Sequence, residues 1–267
     1  MLAFAANSLL CRMSMHVANM DPGEFTLVRL VSGAIMLMLL ATIKQKSWKN
    51  KEGSWLGAFY LFAYAATFSF AYQGMSTGTG ALLLFGAVQI TMLLVSYCRG
   101  ERFSKPQLLG FALAVVGLLI LLLPGASSPN TFSAVLMIMA GISWGAYTLL
   151  GKDASKPLLL SAGNFVRSLL FILPLLLIMR TDVSLQFTDS GFIYAVLSGA
   201  IASGAGYAIW YSTLPTLSGP QAATIQLSVP VLAMIMGWIV LSEVITAQMA
   251  VAGTITLGGI YLVIKAR

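Results

Sequence analysis

Charge is what this sequence lacks most: of 267 residues only 9% are Asp, Glu, Lys or Arg, against about a quarter in soluble domains. With 58% of the chain hydrophobic, a soluble fold could not hide its apolar surface, because much of any folded surface stays wet. The two cysteines, Cys11 and Cys98, and the single His16 give neither a disulfide framework nor a metal-ligand spacing. There is no H-E-x-x-H, no Ser–His pairing and no acid pair inside an apolar run, which removes the usual constellations of an intramembrane enzyme. Neither a pore-loop filter nor a ring of charge marks a channel. The opening MLAFAANSLL has no basic n-region and no cleavage site, so it reads as a membrane helix rather than a removed signal. No metal and no cofactor is expected.

What is there is a series of apolar runs. The hydrocarbon core is ~30 Å thick and a helix rises ~1.5 Å per residue, so about 20 apolar residues cross it. The sequence predicts ten spans: Leu2–Met15, Phe25–Ile43, Trp55–Tyr72, Gly80–Tyr97, Leu108–Leu123, Phe132–Leu150, Leu158–Met179, Phe192–Tyr211, Ala222–Leu241 and Met249–Ile264. Short connections rich in Pro, Gly, Asn or charge separate them, such as DPGE at 21–24, PGASSPN at 124–130 and TLSGP at 216–220. The fold class is an all-α polytopic membrane protein.

The net charge of +7 would suggest nucleic acid in a soluble chain. Here Lys44, Lys46, Lys49, Lys51, Arg99, Arg102, Lys105, Lys152, Lys156, Lys265 and Arg267 fall on one side of the alternating spans, and only Arg12 and Arg180 on the other. The asymmetry puts both termini in the cytoplasm. The expected partners are the lipid bilayer and a small-molecule substrate, with no nucleic acid. A homodimer is compatible with the sequence, but no face marks one.

The chain also repeats itself. FGAVQITMLLVSYCRGERFSKPQLLGFALAVVGLLILLL, 85–123, returns as LSVPVLAMIMGWIVLSEVITAQMAVAGTITLGGIYLVI, 227–264. A shift of 142 lays Met92 on Met234, Glu101 on Glu243 and Gly117 on Gly259. SLLCR at 8–12 resembles TLLGK at 148–152, and Val28-Arg29 matches Val166-Arg167. Spans one to five therefore return as six to ten, in units 1–124 and 132–267. Five is odd, so the second unit is upside down relative to the first, an inverted repeat with its substrate site between the halves. The first span, matched against the sixth, reads as truncated by about nine residues.

These residues carry a resemblance. A Pro inside the ninth span (Pro230), a hinge acid in Leu241-Ser242-Glu243 and a Gly-rich last span resemble the EamA-type family of the drug/metabolite transporter superfamily. The first half carries the matching hinge Gly100-Glu101-Arg102, and Asn7 in AANSLL and Arg29 after DPGEFTLV look like family positions. Val88 stands where the family pattern often has a second Pro; GTGALLLFGAVQITM instead looks like the amino-acid-exporting branch. The resemblance implies a ten-helix transporter of small metabolites, often an exporter, in a bacterial inner membrane.

Polar groups inside a bilayer are costly, so each needs a reason. Arg29 and Arg167 are candidates for gating or for binding a carboxylate, against snorkelling to the interface. Asn7, Gln89 and Gln226 are amides that can bond a zwitterion or a neighbouring helix. Tyr72, Trp144, Tyr147, Tyr207, Trp210 and Tyr211 are candidates to line a path, against packing or an interfacial belt. Tyr64, Phe68 and Tyr72 share one helical face, and Gly199 and Ser203 make a small-x-x-x-small pair on span eight. Pro230, Glu101 and Glu243 are hinge candidates; Pro230 is expected to remove a backbone bond in mid-helix. No Asp or Glu lies near the middle of any span. That favours neutral or zwitterionic substrates over organic cations, since a multidrug carrier of cations would use a buried carboxylate.

Overall fold

The computed structural model describes residues 1–45, 52–100, 102, 104–125, 128–152, 154–179, 190–213 and 225–266. Glu101, Lys46, Lys49, Lys51, Arg180, Arg267, the expected start of the ninth span at Ala222 and the side chain of Tyr211 lie outside the described residues.

The described chain forms ten helical rods. They are α1 (Leu2–His16), α2 (Pro22–Gln45), α3 (Trp55–Ala71), α4 (Thr77–Cys98), α5 (Lys105–Leu122), α6 (Thr131–Gly151) and α7 (Pro157–Met179). Then follows α8, whose pieces Ser190–Val196, Leu197–Ala205 and Gly206–Thr213 run on without a break, and α9 (Ser228–Leu241) and α10 (Ala247–Lys265). The middle piece of α8 is wound as a π-helix over nine residues, which no hydropathy pattern foretold. Seven rods are long and apolar enough to cross a membrane, while α3 and α9 are apolar but shorter. α1 has 15 residues, about 22 Å of helix.

Caps explain several boundaries. α4 starts three residues before the expected Gly80 because Ser76 Oγ accepts the Thr79 N–H at 3.3 Å. Asn130 Oδ1 accepts the Ser133 N–H at 2.7 Å ahead of α6, and Thr246 Oγ1 the Met249 N–H at 3.2 Å ahead of α10. Each satisfies an N–H that the first helical turn leaves without a partner.

The packing has a two-fold logic. α3 lies on α6 and α8 on α1; α4 lies on α6 and α9 on α1; α2 lies on α8 and α7 on α3. Adding five to each helix number turns one contact of each pair into the other. α2–α7 and α5–α10 map onto themselves, so they sit where the two five-helix sets meet. The α5–α10 contact is tight: a Cβ on Gly259 would stand 2.5 Å from the Gly110 carbonyl oxygen. Small residues let membrane helices approach this closely. Large apolar side chains, Phe132, Leu177, Ile178 and Ile239 among them, are exposed, as lipid-facing surfaces are.

Pro230 stands elsewhere than expected. Ile225 and Gln226 are helical, Leu227 turns, and α9 begins at Ser228. Pro230 is thus in the first turn of α9, where the missing N–H costs α9 no internal bond.

Candidate functional site

Five helices converge on one small internal space. α1 contributes Phe4, Asn7 and Ser8, α3 Tyr64, α4 Leu84 and Phe85, α6 Trp144, and α8 Ala202, Ser203 and Tyr207. The first three helices belong to one five-helix set and the last two to the other. The space measures about 20 Å³, room for the centre of one water and far below the several hundred Å³ of a typical small-molecule site. The helices must part to admit a substrate.

Aromatic rings make most of the wall. Trp144 lies 4.9 Å from Tyr64, 5.1 Å from Tyr207 and 5.5 Å from Tyr147 between ring centroids. Phe4 meets Tyr207 at 5.8 Å and Trp210 at 6.3 Å. These edge-to-face and tilted contacts hold rings of α1, α3, α6 and α8 against each other.

The polar groups are few and connected. Tyr64 Oη accepts from Asn7 Nδ2 at 3.1 Å and from Arg29 Nη2 at 2.9 Å. Ser198 Oγ donates to Asn7 Oδ1 at 2.6 Å, so Asn7 ties α3 of one half to the π segment of α8 in the other. Arg29 is 2% exposed. Its guanidinium carbon sits 5.0 Å from the ring centres of Tyr64 and Phe68, a cation–π geometry. Its Nη1 has no hydrogen-bond partner, and neither has the buried Ser203 Oγ. Among the described residues Arg29 is the one charged side chain in the buried set, and neither ion pair found there includes it.

Arg167, at the matching place in the repeat, has a different environment. Its Nη1 donates to the Glu52 carbonyl at 2.7 Å and the Gly163 carbonyl at 3.1 Å. Beside it, Asn164 Oδ1 accepts the Ser54 N–H at 2.8 Å. Residues 52–54, just ahead of α3, are thereby seated on α7 at one end of the molecule.

Glu243 closes the other. Its Oε1 is 3.3 Å from Arg12 Nε and its Oε2 accepts the Thr77 N–H at 2.8 Å. Arg12 Nη1 also donates to the Tyr72 carbonyl at 2.8 Å. Ser242 before it adopts the left-handed conformation, φ 55°, which turns the chain off α9.

The expected site residues therefore divide. Asn7, Trp144 and Tyr207 line the space, and Arg29 reaches it through Tyr64. Trp210 and Tyr147 back the aromatic wall; the Tyr147 hydroxyl faces Ser161 and Asn164 of α7. Tyr72 is buried at the Arg12 end, with its hydroxyl 3.3 Å from the Thr77 carbonyl, and is not a wall of the cavity. Gln89 is buried on α4 and Gln226 half-buried before α9; neither lines the space. Phe4, Ser8, Phe85 and Ser198 carry no sequence signal beyond their type, whereas the i, i+4 spacing of Tyr64 and Phe68 marks the face on which Arg29 rests. Among the described residues no cluster of His, Cys, Asp and Glu could hold a metal.

Comparison with known proteins gives a consistent result. The model of the EamA-like transporter family matches residues 1–123 and again 131–265. An uncharacterized protein of Pseudomonas aeruginosa is 51% identical over all of this chain and 92% of its own length. A Salmonella typhimurium protein named "Probable amino-acid metabolite efflux pump" is 27% identical over 71% of this chain and 68% of its own. A solved crystal structure superposes with a TM-score of 0.66 over 98% of this chain and 96% of the other, at 16% identity, a likeness of fold alone.

Proposed function

The chain belongs to the EamA-like transporter family, and from that premise we propose that it exports amino acids or closely related neutral or zwitterionic compounds by alternating access between its two five-helix halves. The units divide at about residues 124 and 132, and both termini face the cytoplasm of a bacterial inner membrane. The Arg12–Glu243 end is then the outer face and the Arg167–Glu52 end the inner.

One observation carries the reading: the collapsed cavity is shared by both halves, walled by aromatic rings, and holds a few connected amide and hydroxyl groups. That is the composition of a small-molecule site, at the place between repeats where carriers bind. Opening one face separates α1 and α4 from α9; opening the other lifts residues 52–54 from α7. Each motion widens the same space from a different side.

Amino-acid export draws support from the relatives of Salmonella typhimurium and Escherichia coli that are named "Probable amino-acid metabolite efflux pump". Organic-cation efflux fits less well, because a cation would enter beside Arg29 and none of the cavity-lining residues is an acid. The test is counterflow in proteoliposomes loaded with unlabelled amino acids. Saturable, trans-stimulated uptake of the labelled compound is expected. Linear flux that ignores the trans side would make the protein a channel and defeat the reading.

A further inference from the structure

Arg29 is a buried cation with no acid beside it and a nitrogen with no partner. Its counterpart Arg167 shows that an arginine at this repeat position can be satisfied by carbonyls within reach. Arg29 is not: Nη2 is held by Tyr64, the flat face lies on the rings of Tyr64 and Phe68, and Nη1 is left over. A guanidinium held flat with one nitrogen unpaired can take a carboxylate once the adjoining cavity widens toward it.

Two further donors line the adjoining cavity. Tyr64 Oη already accepts from Asn7 and Arg29, which uses both of its lone pairs. Its remaining capacity is its proton. Ser203 Oγ is buried, lines the cavity and is without a partner. It lies four residues after Gly199, close to one turn on in the π-wound stretch, so the two share a face. Gly199 is the point where α8 touches α2, against the backbone carbonyl of Arg29 itself. The amide acceptor in the group, Asn7 Oδ1, is taken by Ser198, which leaves the neutral hydroxyls of Ser8 and Ser203 as the acceptors without a partner.

The site thus offers donors and one positive charge, and it offers an ammonium no anion. A monoanionic carboxylate cancels the buried charge; a zwitterion leaves it at one; an amine doubles it. Charge buried in a low-dielectric interior is the dominant cost in such a choice. We propose that Arg29, Tyr64 and Ser203 form a carboxylate subsite and that the amino group of the substrate is dispensable. The carrier then takes apolar monocarboxylic acids, 2-hydroxy and 2-keto acids included, alongside amino acids. The apolar side chain lies among Phe4, Trp144 and Tyr207.

This inference rests on the export reading above and narrows its substrate. The experiment measures binding to the purified full chain, by thermal shift and by inhibition of counterflow. The probes are leucine and phenylalanine, each beside its 2-hydroxy acid and its decarboxylated amine. The 2-hydroxy acid is expected to bind at least as tightly as the amino acid, and the amine at least ~10-fold more weakly. Arg29→Gln should abolish the preference for acid over amine. Ser203→Ala, a milder change, should weaken the 2-hydroxy acid by ~3- to 10-fold while leaving the unliganded midpoint in place. Amines binding as tightly as the acids would overturn the carboxylate subsite. So would saturable transport of other amino acids with none of these six compounds bound, although the export reading would survive that result. Saturable transport confined to amines would overturn both.

Discussion

Arg12 and Glu243 are 231 residues apart in sequence and 3.3 Å apart in space. One lies near the end of α1, in the first five-helix set; the other follows α9, in the second. Both side chains are largely buried, 13% and 17% exposed, so water screens the pair less than it would a surface pair. Glu243 also holds the N-terminus of α4 through the Thr77 N–H, where the helix dipole favours a negative charge. Glu243→Gln and Arg12→Gln are each expected to destabilise the closed end by about 1–3 kcal/mol. The double variant should cost less than the sum, with a coupling of about 1 kcal/mol. Thermal unfolding of the four proteins in detergent measures it, and strictly additive losses would mean that the pair does not act as a unit.

At the opposite end, Asn164 and Arg167 hold residues 52–54 ahead of α3. Asn164→Ala removes the acceptor of the Ser54 N–H, a loss of about 1.4 kcal/mol, or tenfold in an opening equilibrium. Amide hydrogen exchange at Ser54 should rise by that factor in the variant, and exchange at the Ser76 cap should stay as it was. Equal protection at Ser54 in both proteins would rule out the contact as a closing element.

The glycine pair in α10 separates packing from propensity. A Cβ on Gly258 meets nothing within 4 Å, while one on Gly259 would press on the Gly110 carbonyl and the Ala114 N at 2.5 and 2.7 Å. Gly258→Ala should be neutral or stabilising by up to ~1 kcal/mol, since Ala favours helix. Gly259→Ala should destabilise by about 1–3 kcal/mol, the scale of overpacking. The melting temperatures should move in opposite directions or differ by several degrees; equal shifts would refute the α5–α10 contact.

Pro230 tests the hinge role. Its place in the first turn of α9 means that Pro230→Ala should leave the stability of the fold within about 1 kcal/mol. An alanine would let the helix run back through Leu227 toward Ile225 and slow the exchange between conformations. Flux in vesicles is expected to fall while expression and melting stay near the parent; unchanged flux would remove Pro230 from the transport cycle.

The repeat was readable from Val28-Arg29 against Val166-Arg167, and from the hinge acids 142 residues apart, because span number and loop chemistry are local. The fates of matched residues were not. Arg29 and Arg167 share a position and a neighbour in sequence, yet one is enclosed by rings and the other caps carbonyls. Glu243 reads as a hinge residue; its bond to Arg12 depends on a helix that lies 231 residues away in the chain. The π segment of α8 leaves no periodic mark, since Leu197–Ala205 is made mostly of small residues with a weak preference for either winding.

The sequence by itself determined that this is an all-α membrane protein of ten helices in two related sets, because hydropathy and helix length answer to the bilayer and not to tertiary contacts. Tertiary structure alone decided which polar residues meet. Burial and pairing come from side chains on opposite halves, and two inverted copies of one pattern place equal residues in unequal surroundings whenever one end closes differently from the other. For Arg29 that difference left a cation enclosed, flat on two rings, with one nitrogen unpaired.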